Sequence, residues 1–267
     1  MKMTSKNKKF RLDQLLLKKK LVSSRERSKS LILAGKVMIA DKIADKPGSI
    51  YDLECEIRVI EDIHPYASRG GIKLEHALNE FNVSLTNKVA VDIGASTGGF
   101  TDCLLQRGID RVFAVDVGYG QLDWKLQSDP RVITLDRKNA RNLDNTDIKE
   151  LVDLVVIDVS FISLKLIIPA AINVLKPEGN LIALVKPQFE VGKNEVENKG
   201  IIKNPKKHLD VLVELNSFTK KQGWPISNIT VSPITGQKGN REFLIHCLAK
   251  KNSRIIEDDH IRNMINK

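Results

Sequence analysis

The sequence predicts an α/β protein in which a small α+β unit precedes a doubly wound, mostly parallel sheet of seven strands. Three observations predict this class: apolar runs alternate with helix-like segments from residue 89 onward, a glycine-rich turn follows the first run, and the start of the chain is strongly basic. A chain of 267 residues with 42% hydrophobic composition can bury one core of ordinary size and a second, smaller one. We therefore predict two domains, 1–62 and 72–267, joined by a linker at 63–71.

The first unit is predicted to contain two helices followed by a hairpin. Leucines in the range 12–16 are at helical spacing, and residues 23–26 form a capping box before a second helix. Apolar runs at 36–40 and 55–60 flank a stretch rich in Asp, Lys, Pro and Gly, which predicts two short strands around a polar turn.

The second unit is predicted from apolar, β-branched runs that are bounded by turn residues. A helix at 72–81 precedes the first run, and a turn at 233–239 joins the last two strands as an antiparallel hairpin. The predicted strands span 89–93, 111–115, 131–134, 153–157, 180–185, 226–232 and 242–248.

Positive charge is concentrated at the start of the chain. The formal net charge is +10, and the first 30 residues hold eleven Lys and Arg against two acidic residues. Such a one-sided field predicts binding to a polyanion, because each neutralised phosphate releases counterions. A solvated basic tail is the alternative, but the leucines at helical spacing favour a folded unit. The candidate contacts are Lys8, Lys9, Arg11, Lys20, Arg25, Lys29, Lys36 and, in the linker, Arg69.

The glycine-rich turn after the first strand is typical of a cofactor site. Glycine allows positive φ and a close approach of backbone to a ligand, and the N-terminus of the following helix offers free N–H groups. Ser96 stands where a dinucleotide fingerprint has its second glycine, so NAD is disfavoured but not excluded. Asp116 ends the next strand about 20 residues after the first glycine, where a carboxylate binds ribose hydroxyls. A tight turn without a ligand remains the alternative. The candidate residues are Asp92, Gly94, Ala95, Ser96, Gly98, Gly99, Phe100 and Asp116.

Charged residues also mark the ends of later strands. Asp158 and Lys186 follow apolar runs, and Glu242 opens the last one. Ligands of open α/β sheets bind beyond the carboxyl ends of the strands, so these side chains and Lys73 are expected near the turn. A buried amine near a second cation loses its proton more easily, which suits deprotonation of an alcohol. Singly, each is more typical of a solvated strand end than of a catalytic group.

The first unit resembles a small RNA-binding module that is named after a small-subunit ribosomal protein and occurs on pseudouridine synthases and tyrosyl-tRNA synthetases. The likeness is carried by residues 11–13, 24–25, 32–37 and 46–48. The resemblance implies that the polyanion is RNA.

Almost the whole chain, from about Phe10 to about Cys247, resembles the hemolysin-type TlyA family of ribosomal RNA 2′-O-ribose methyltransferases. The matching motifs are SRGGIKL at 68–74, DIGASTGGFTD at 92–102, DVSFISL at 158–164 and KPQFE at 186–190. Their combination is far more specific than any one of them. The resemblance implies a Rossmann-like catalytic domain of the FtsJ type.

The resemblance also implies a reaction and its residues. S-adenosylmethionine is the methyl donor, the acceptor is a cytidine ribose, and the partners are ribosomal RNA or ribosomal subunits. The family tetrad corresponds to Lys73, Asp158, Lys186 and Glu242, with Lys186 as the general base. Asp136 and Asn139 correspond to the adenine contact, although the family segment there usually begins with Glu rather than Asp.

Several functions are disfavoured. The three cysteines lack metal-ligand spacing, and no apolar run approaches the ~20 residues that span a bilayer, so we expect a cytoplasmic protein without metal or membrane contact. The rivals are a membrane-active cytolysin, a non-catalytic RNA-binding assembly factor and a base methyltransferase, which would carry Asp/Asn-Pro-Pro-aromatic where this chain has DVSF at 158–161. The polar segment 188–204 is predicted to be either a disordered connection or a flap that covers the site.

Overall fold

A computed structural model describes residues 8–22, 25–33, 35–60, 65–192, 200–236, 239–252, 256 and 261–262. The chain forms two compact units, residues 1–63 and 64–267. Residues 63 and 64 of the predicted linker lie outside the described residues, and Gly70 and Gly71 already belong to a helix. The predicted domain boundaries stay predictions.

Among its described residues, the first unit holds two helices and five short strands. The strands nearest to 36–40 and 55–60 pair antiparallel, but they are not a simple hairpin, because two further short strands lie between them and one of these pairs with the first. Strands of two or three residues on either side of the helices were missed, since so short a run shows no alternation. The capping residues Ser23 and Ser24 lie outside the described residues. The elements are β1 (Lys9–Arg11), α1 (Leu12–Lys18), α2 (Arg25–Leu33), β2 (Val37–Ile39), β3 (Lys42–Ile43), β4 (Ile50–Asp52) and β5 (Ile57–Val59).

A buried carboxylate joins the two helices of this unit. Asp13 is fully buried beside the core leucines of α1 and accepts hydrogen bonds from Arg11 Nε at 3.1 Å and Arg25 Nε at 3.2 Å. Burial raises the pKa of Asp13, but the hydrogen bonds from the two guanidinium groups outweigh it, so that the pKa is lowered. Two of the predicted RNA contacts are therefore also structural.

The second unit is built on one sheet with the strand order β11-β12-β10-β9-β6-β7-β8. The ladders among β10, β9, β6, β7 and β8 are parallel, whereas β12 pairs antiparallel with β10 and β11. The predicted fold class is confirmed. The strands are β6 (Val89–Ile93), β7 (Arg111–Val115), β8 (Val132–Leu135), β9 (Val152–Ile157), β10 (Leu175–Val185), β11 (Ile226–Val231) and β12 (Phe243–Leu248).

Both faces of this sheet are buried. In β9, Val155 packs into one apolar cluster and Leu154 and Val156 into the other, because successive side chains of a strand point to opposite faces. Burial on both sides explains why the strands read as continuous apolar runs. The helices are α3 (Gly70–Glu80), α4 (Gly99–Gln106), α5 (Trp124–Gln127), α6 (Ile168–Asn173), α7 (Pro187–Glu190) and α8 (Pro205–Lys221).

The order of the parallel strands reverses between β6 and β9. The chain runs outward from β6 through β7 to β8, then returns to the other side of β6 at β9. Such a switch point opens a crevice at the carboxyl ends of the strands, where ligands of this architecture bind. The site is therefore to be sought beyond Ile93 and Ile157.

Candidate active site

A cavity of about 340 Å³ lies at this edge of the sheet. All four residues of the predicted tetrad line it, together with much of the glycine-rich turn. The lining residues are Ser68, Arg69, Gly70, Lys73, Gly94, Ala95, Ser96, Thr97, Gly99, Phe100, Asp158, Ser160, Phe161, Lys186, Gln188, Phe189, Gly236 and Glu242.

The inner pair of this cavity is Lys73 and Glu242. Lys73 lies on α3, and Glu242 directly precedes β12, whose antiparallel direction brings its start to the carboxyl edge of the parallel strands. Lys73 Nζ is 2.5 Å from Glu242 Oε2, and the side chains are only 11% and 2% exposed. A methyl group on Gly236 would overlap the Glu242 carboxylate, so the backbone of Gly236 packs closely against this pair.

The outer pair is Lys186 and Asp158. Lys186 Nζ lies 2.6 Å from Asp158 Oδ1 and also donates to Ser160 Oγ at 3.0 Å. The side chains are 12% and 22% exposed, so this pair is nearer to solvent than the inner pair. The amide of Asp158 donates to Ile93 O at 3.0 Å, which ties the strand end of β9 to that of β6.

The glycines of the turn make room for protein rather than only for a ligand. Gly94, at φ +85°, would place a Cβ 2.5 Å from the carbonyl oxygen of Asp158. A Cβ on Gly98 would overlap Leu126, and one on Gly99 would overlap the Ser68 hydroxyl. The sequence predicted close approach of backbone to a cofactor, but the structure shows that close packing within the chain already requires these glycines.

Two buried or half-buried aspartates support the turn. Asp116 accepts hydrogen bonds from the amides of Ser96 at 2.8 Å and Gly118 at 2.7 Å. Asp92 is fully buried and accepts a hydrogen bond from Thr101 Oγ1 at 2.7 Å. Burial, with the negative charges of Asp158 and Asp116, raises the pKa of Asp92 to about 7 despite that hydrogen bond.

Several predicted cofactor contacts lie away from the cavity wall. Asp92, Gly98 and Asp116 are not among the lining residues. Asp136 accepts a hydrogen bond from the amide of Gly120 at 3.0 Å, and Asn139 Oδ1 accepts one from the amide of Arg141 at 3.1 Å. These side chains hold the loops that follow β7 and β8.

The predicted RNA contacts have different surroundings. Arg11 and Arg25 share Asp13, Lys36 is half-buried, and Arg69 lines the cavity. The remaining predicted contacts are exposed: Lys8, Lys9, Lys20 and Lys29.

Some lining residues were not singled out from the sequence. Ser160, Phe161 and Phe189 lie inside the quoted motifs, just after the ends of β9 and β10, so their position was a usable signal. Gly236 gave no such signal, because its role depends on Glu242 six residues later. Residues 193–199 of the predicted flap lie outside the described residues, although Gln188 and Phe189 line the cavity.

Two kinds of feature are absent from the described residues. Within them, no helix is long and apolar enough to cross a membrane. No group of three His, Cys, Asp or Glu side chains in the same part of the chain could hold a metal ion.

Comparison with known proteins places both units. Residues 66–248 match the FtsJ-like methyltransferase family, and residues 10–57 match the S4 domain. The Bacillus subtilis (strain 168) protein YqxC, which its name assigns provisionally to the rRNA methyltransferases, is 48% identical over 91% of this chain and 86% of its own length. The 16S/23S rRNA (cytidine-2′-O)-methyltransferase TlyA of Mycobacterium tuberculosis (strain H37Rv) is 40% identical over 88% of each chain. A solved structure from Streptococcus thermophilus with a provisional hemolysin name matches with a TM-score of 0.76 at 40% identity, over 97% of this chain and 94% of that one.

Proposed function

This chain belongs to the TlyA (hemolysin A-type) family of FtsJ-like methyltransferases, and we propose that it methylates a ribose 2′-hydroxyl of ribosomal RNA with S-adenosylmethionine as donor. One observation carries the proposal. Two lysines and two carboxylates from four distant parts of the sequence line one cavity beside the glycine-rich turn. Two lysine–carboxylate pairs in one concave site suit proton transfer from an alcohol.

The residues around the turn fit S-adenosylmethionine. A cavity of about 340 Å³ is within the range of small-molecule sites. Each oxygen of Asp116 accepts one amide hydrogen bond and can accept another, which leaves room for two ribose hydroxyls. The N-terminus of α4 at Gly99 attracts a carboxylate. Bound there, the cofactor supplies an electrophilic methyl group.

The chain's own residues then handle the proton. The lone pair of Lys186 Nζ would take the proton of the ribose hydroxyl, while the methyl group would pass to that oxygen with cleavage of its bond to sulfur, which would leave a neutral thioether. Asp158 and Ser160 hold that amine in place, at 2.6 and 3.0 Å. The inner pair lines the same cavity, and its role in the proposal is to orient the acceptor ribose.

The first unit supplies binding to RNA rather than chemistry. Its S4-domain match and its exposed lysines support contacts to phosphates. A cytidine acceptor is proposed because the Mycobacterium tuberculosis relative is named for that nucleotide. Its name covers 16S and 23S rRNA, so RNA of either ribosomal subunit is a candidate substrate.

The test is methyl transfer from labelled S-adenosylmethionine to ribosomal subunits, followed by mass mapping of the modified nucleotide. A ribose 2′-O-methyl group is expected, and a methyl group on a base would contradict the proposal. In calorimetry, binding of NADH without binding of S-adenosylmethionine would overturn the cofactor assignment.

A membrane-active cytolysin is the second candidate because of the hemolysin name of the Streptococcus thermophilus relative. Dye release from anionic liposomes distinguishes it. Full release by a Lys186→Ala variant that has lost methyl transfer would establish a separate lytic activity.

A further inference from the structure

Glu190 is a carboxylate that the proposed reaction does not use. It ends α7, four residues after Lys186, and is only partly exposed. Burial raises its pKa, and hydrogen bonds from Leu164 and Ser163 offset part of that effect. Partial burial of a carboxylate costs free energy unless its oxygens are hydrogen-bonded, so the partners of Glu190 indicate its role.

Both oxygens of Glu190 bind the loop that follows β9. Oε2 accepts a hydrogen bond from Ser163 Oγ at 2.6 Å, and Oε1 accepts one from the amide of Leu164 at 2.8 Å. Ser163 Oγ itself accepts from the amide of Lys165 at 3.2 Å, so its own proton is directed at Glu190. Phe161 and Phe189, which belong to the same two segments, also contact each other, with their ring centroids 4.9 Å apart.

These contacts, which we call the latch, lie where the sheet no longer holds the outer pair together. The β9–β10 ladder ends at Ile157 and Ala183, one residue before Asp158 and three before Lys186. Beyond that point each strand is held by a different neighbour. The amide of Asp158 donates to Ile93, and Val185 pairs with Phe243 of β12. Contacts across the loops therefore help to set the distance between the two charged groups.

The geometry points to Glu190 as a positioning residue that keeps Lys186 at Asp158 by latching the loop after β9 to the helix after β10. The inference rests on the proposed function, because it concerns the alignment of the proposed base. A displacement of about 1 Å in a catalytic group can lower the rate roughly 100-fold.

The test compares three variants of the full-length protein in methyl transfer to ribosomal subunits. Glu190→Ala removes the latch and is expected to lower kcat by about 10- to 100-fold, with KM for RNA and for S-adenosylmethionine unchanged. Glu190→Gln is expected to retain most of kcat, because its amide still accepts from Leu164 and donates to the Ser163 hydroxyl. Active sites are counted by calorimetric titration with S-adenosylmethionine, so a loss of folded protein does not count as a loss of kcat.

Glu214→Ala is the matched control. Glu214 binds Lys165 Nζ at 2.5 Å next to the same loop, but its partner segment is α8 rather than α7. Full kcat is expected for this variant. Full kcat in Glu190→Ala, or a kcat in Glu190→Gln as low as in Glu190→Ala, would overturn the latch and leave the proposed function standing. Wild-type protein without methyl transfer to any ribosomal RNA would overturn both.

Discussion

The inner and outer lysine–carboxylate pairs contain the same two functional groups in different surroundings. Glu242 of the inner pair is 2% exposed, whereas Asp158 of the outer pair is 22% exposed and its lysine also binds Ser160. Removing one partner of a buried pair leaves an uncompensated charge in the interior, and the loss of stability is smaller where the remaining carboxylate is partly exposed. We therefore infer that the inner pair contributes more to stability, whereas the proposed proton transfer belongs to the outer pair.

The largest effect is expected at the outer pair. Lys186→Ala should lower methyl transfer by about 10²- to 10⁴-fold while the affinity for S-adenosylmethionine stays unchanged, and the free energy of unfolding should fall less than when the inner pair is broken. Lys186→Arg should fail as well, because a guanidinium does not give up its proton in a protein. Turnover is measured with saturating RNA and cofactor.

Lys176→Arg is the control for this change. Lys176 pairs with Asp153 at 2.7 Å, between the same two strands but at their other end, so its activity should be normal. Near-normal turnover of Lys186→Arg would mean that the lysine acts as a fixed charge, and Asp158 would be the next candidate for the base.

The inner pair should be tested by stability. Glu242→Gln leaves Lys73 buried without its countercharge and should lower the free energy of unfolding by about 3–5 kcal/mol. The double variant Lys73→Met/Glu242→Leu should recover much of that stability without recovering activity. Both tryptophans, Trp124 and Trp224, lie in the second unit, so fluorescence in urea reports its unfolding. A fully active double variant would remove the inner pair from the mechanism.

A smaller effect is expected from one added methyl group. Gly236→Ala should displace the Glu242 carboxylate, whose position the new Cβ would occupy, and lower methyl transfer by about 10- to 100-fold. Overpacking should cost about 1–3 kcal/mol of stability. Gly48→Ala is the control, since its added Cβ would meet only ordinary contacts at 3.6 Å. Equal activity of the two variants would show that the inner pair tolerates displacement.

A different readout, the pH dependence of stability, tests Asp92, a buried carboxylate that pairs with no lysine among the described residues. Its pKa is about 7 in the folded state and about 3.9 when unfolded, so folding takes up a proton between these values. The free energy of unfolding should therefore fall as pH rises from about 4 to about 7, by at most about 1.4 kcal/mol per pH unit, and level off above. Asp92→Asn should flatten this slope in urea titrations followed by tryptophan fluorescence.

The pKa of Asp13 is shifted in the opposite direction, so its effect on stability changes with pH in the opposite sense. Because the pKa of Asp13 is lowered in the folded state, its contribution is present above about pH 4 and is lost as pH falls further. Asp13→Asn should lower the stability of the first unit above about pH 4 and should differ little from the wild-type protein in acid, where the wild-type protein loses the same contribution. An unchanged slope between about pH 4 and 7 in Asp92→Asn would contradict the assignment to Asp92.

The parallel part of the sheet could be predicted from the amino-acid sequence. Strands β6 and β7 have the predicted bounds, because residues buried on both faces must be apolar along their whole length. The sequence also determined that Asp158 and Lys186 lie at one edge, since the carboxyl ends of parallel strands meet there. Strand β10 starts at Leu175, whereas the predicted strand started at 180. The first part of the strand was missed because it contains Pro177 and Gly179 and carries no apolar pattern.

Which charged side chains pair with one another depends on the tertiary structure. The pairing of Lys73 with Glu242 spans 169 residues and depends on β12 entering the sheet antiparallel between β10 and β11. Two other contacts could not be predicted from the sequence: the packing of Gly94 against Asp158 and the binding of Asp13 by two arginines. A local sequence pattern does not identify the distant residue that a side chain will contact. Apolar periodicity is set by neighbours along the chain, whereas ion pairs and close backbone contacts are set by the packing of elements that are remote in sequence.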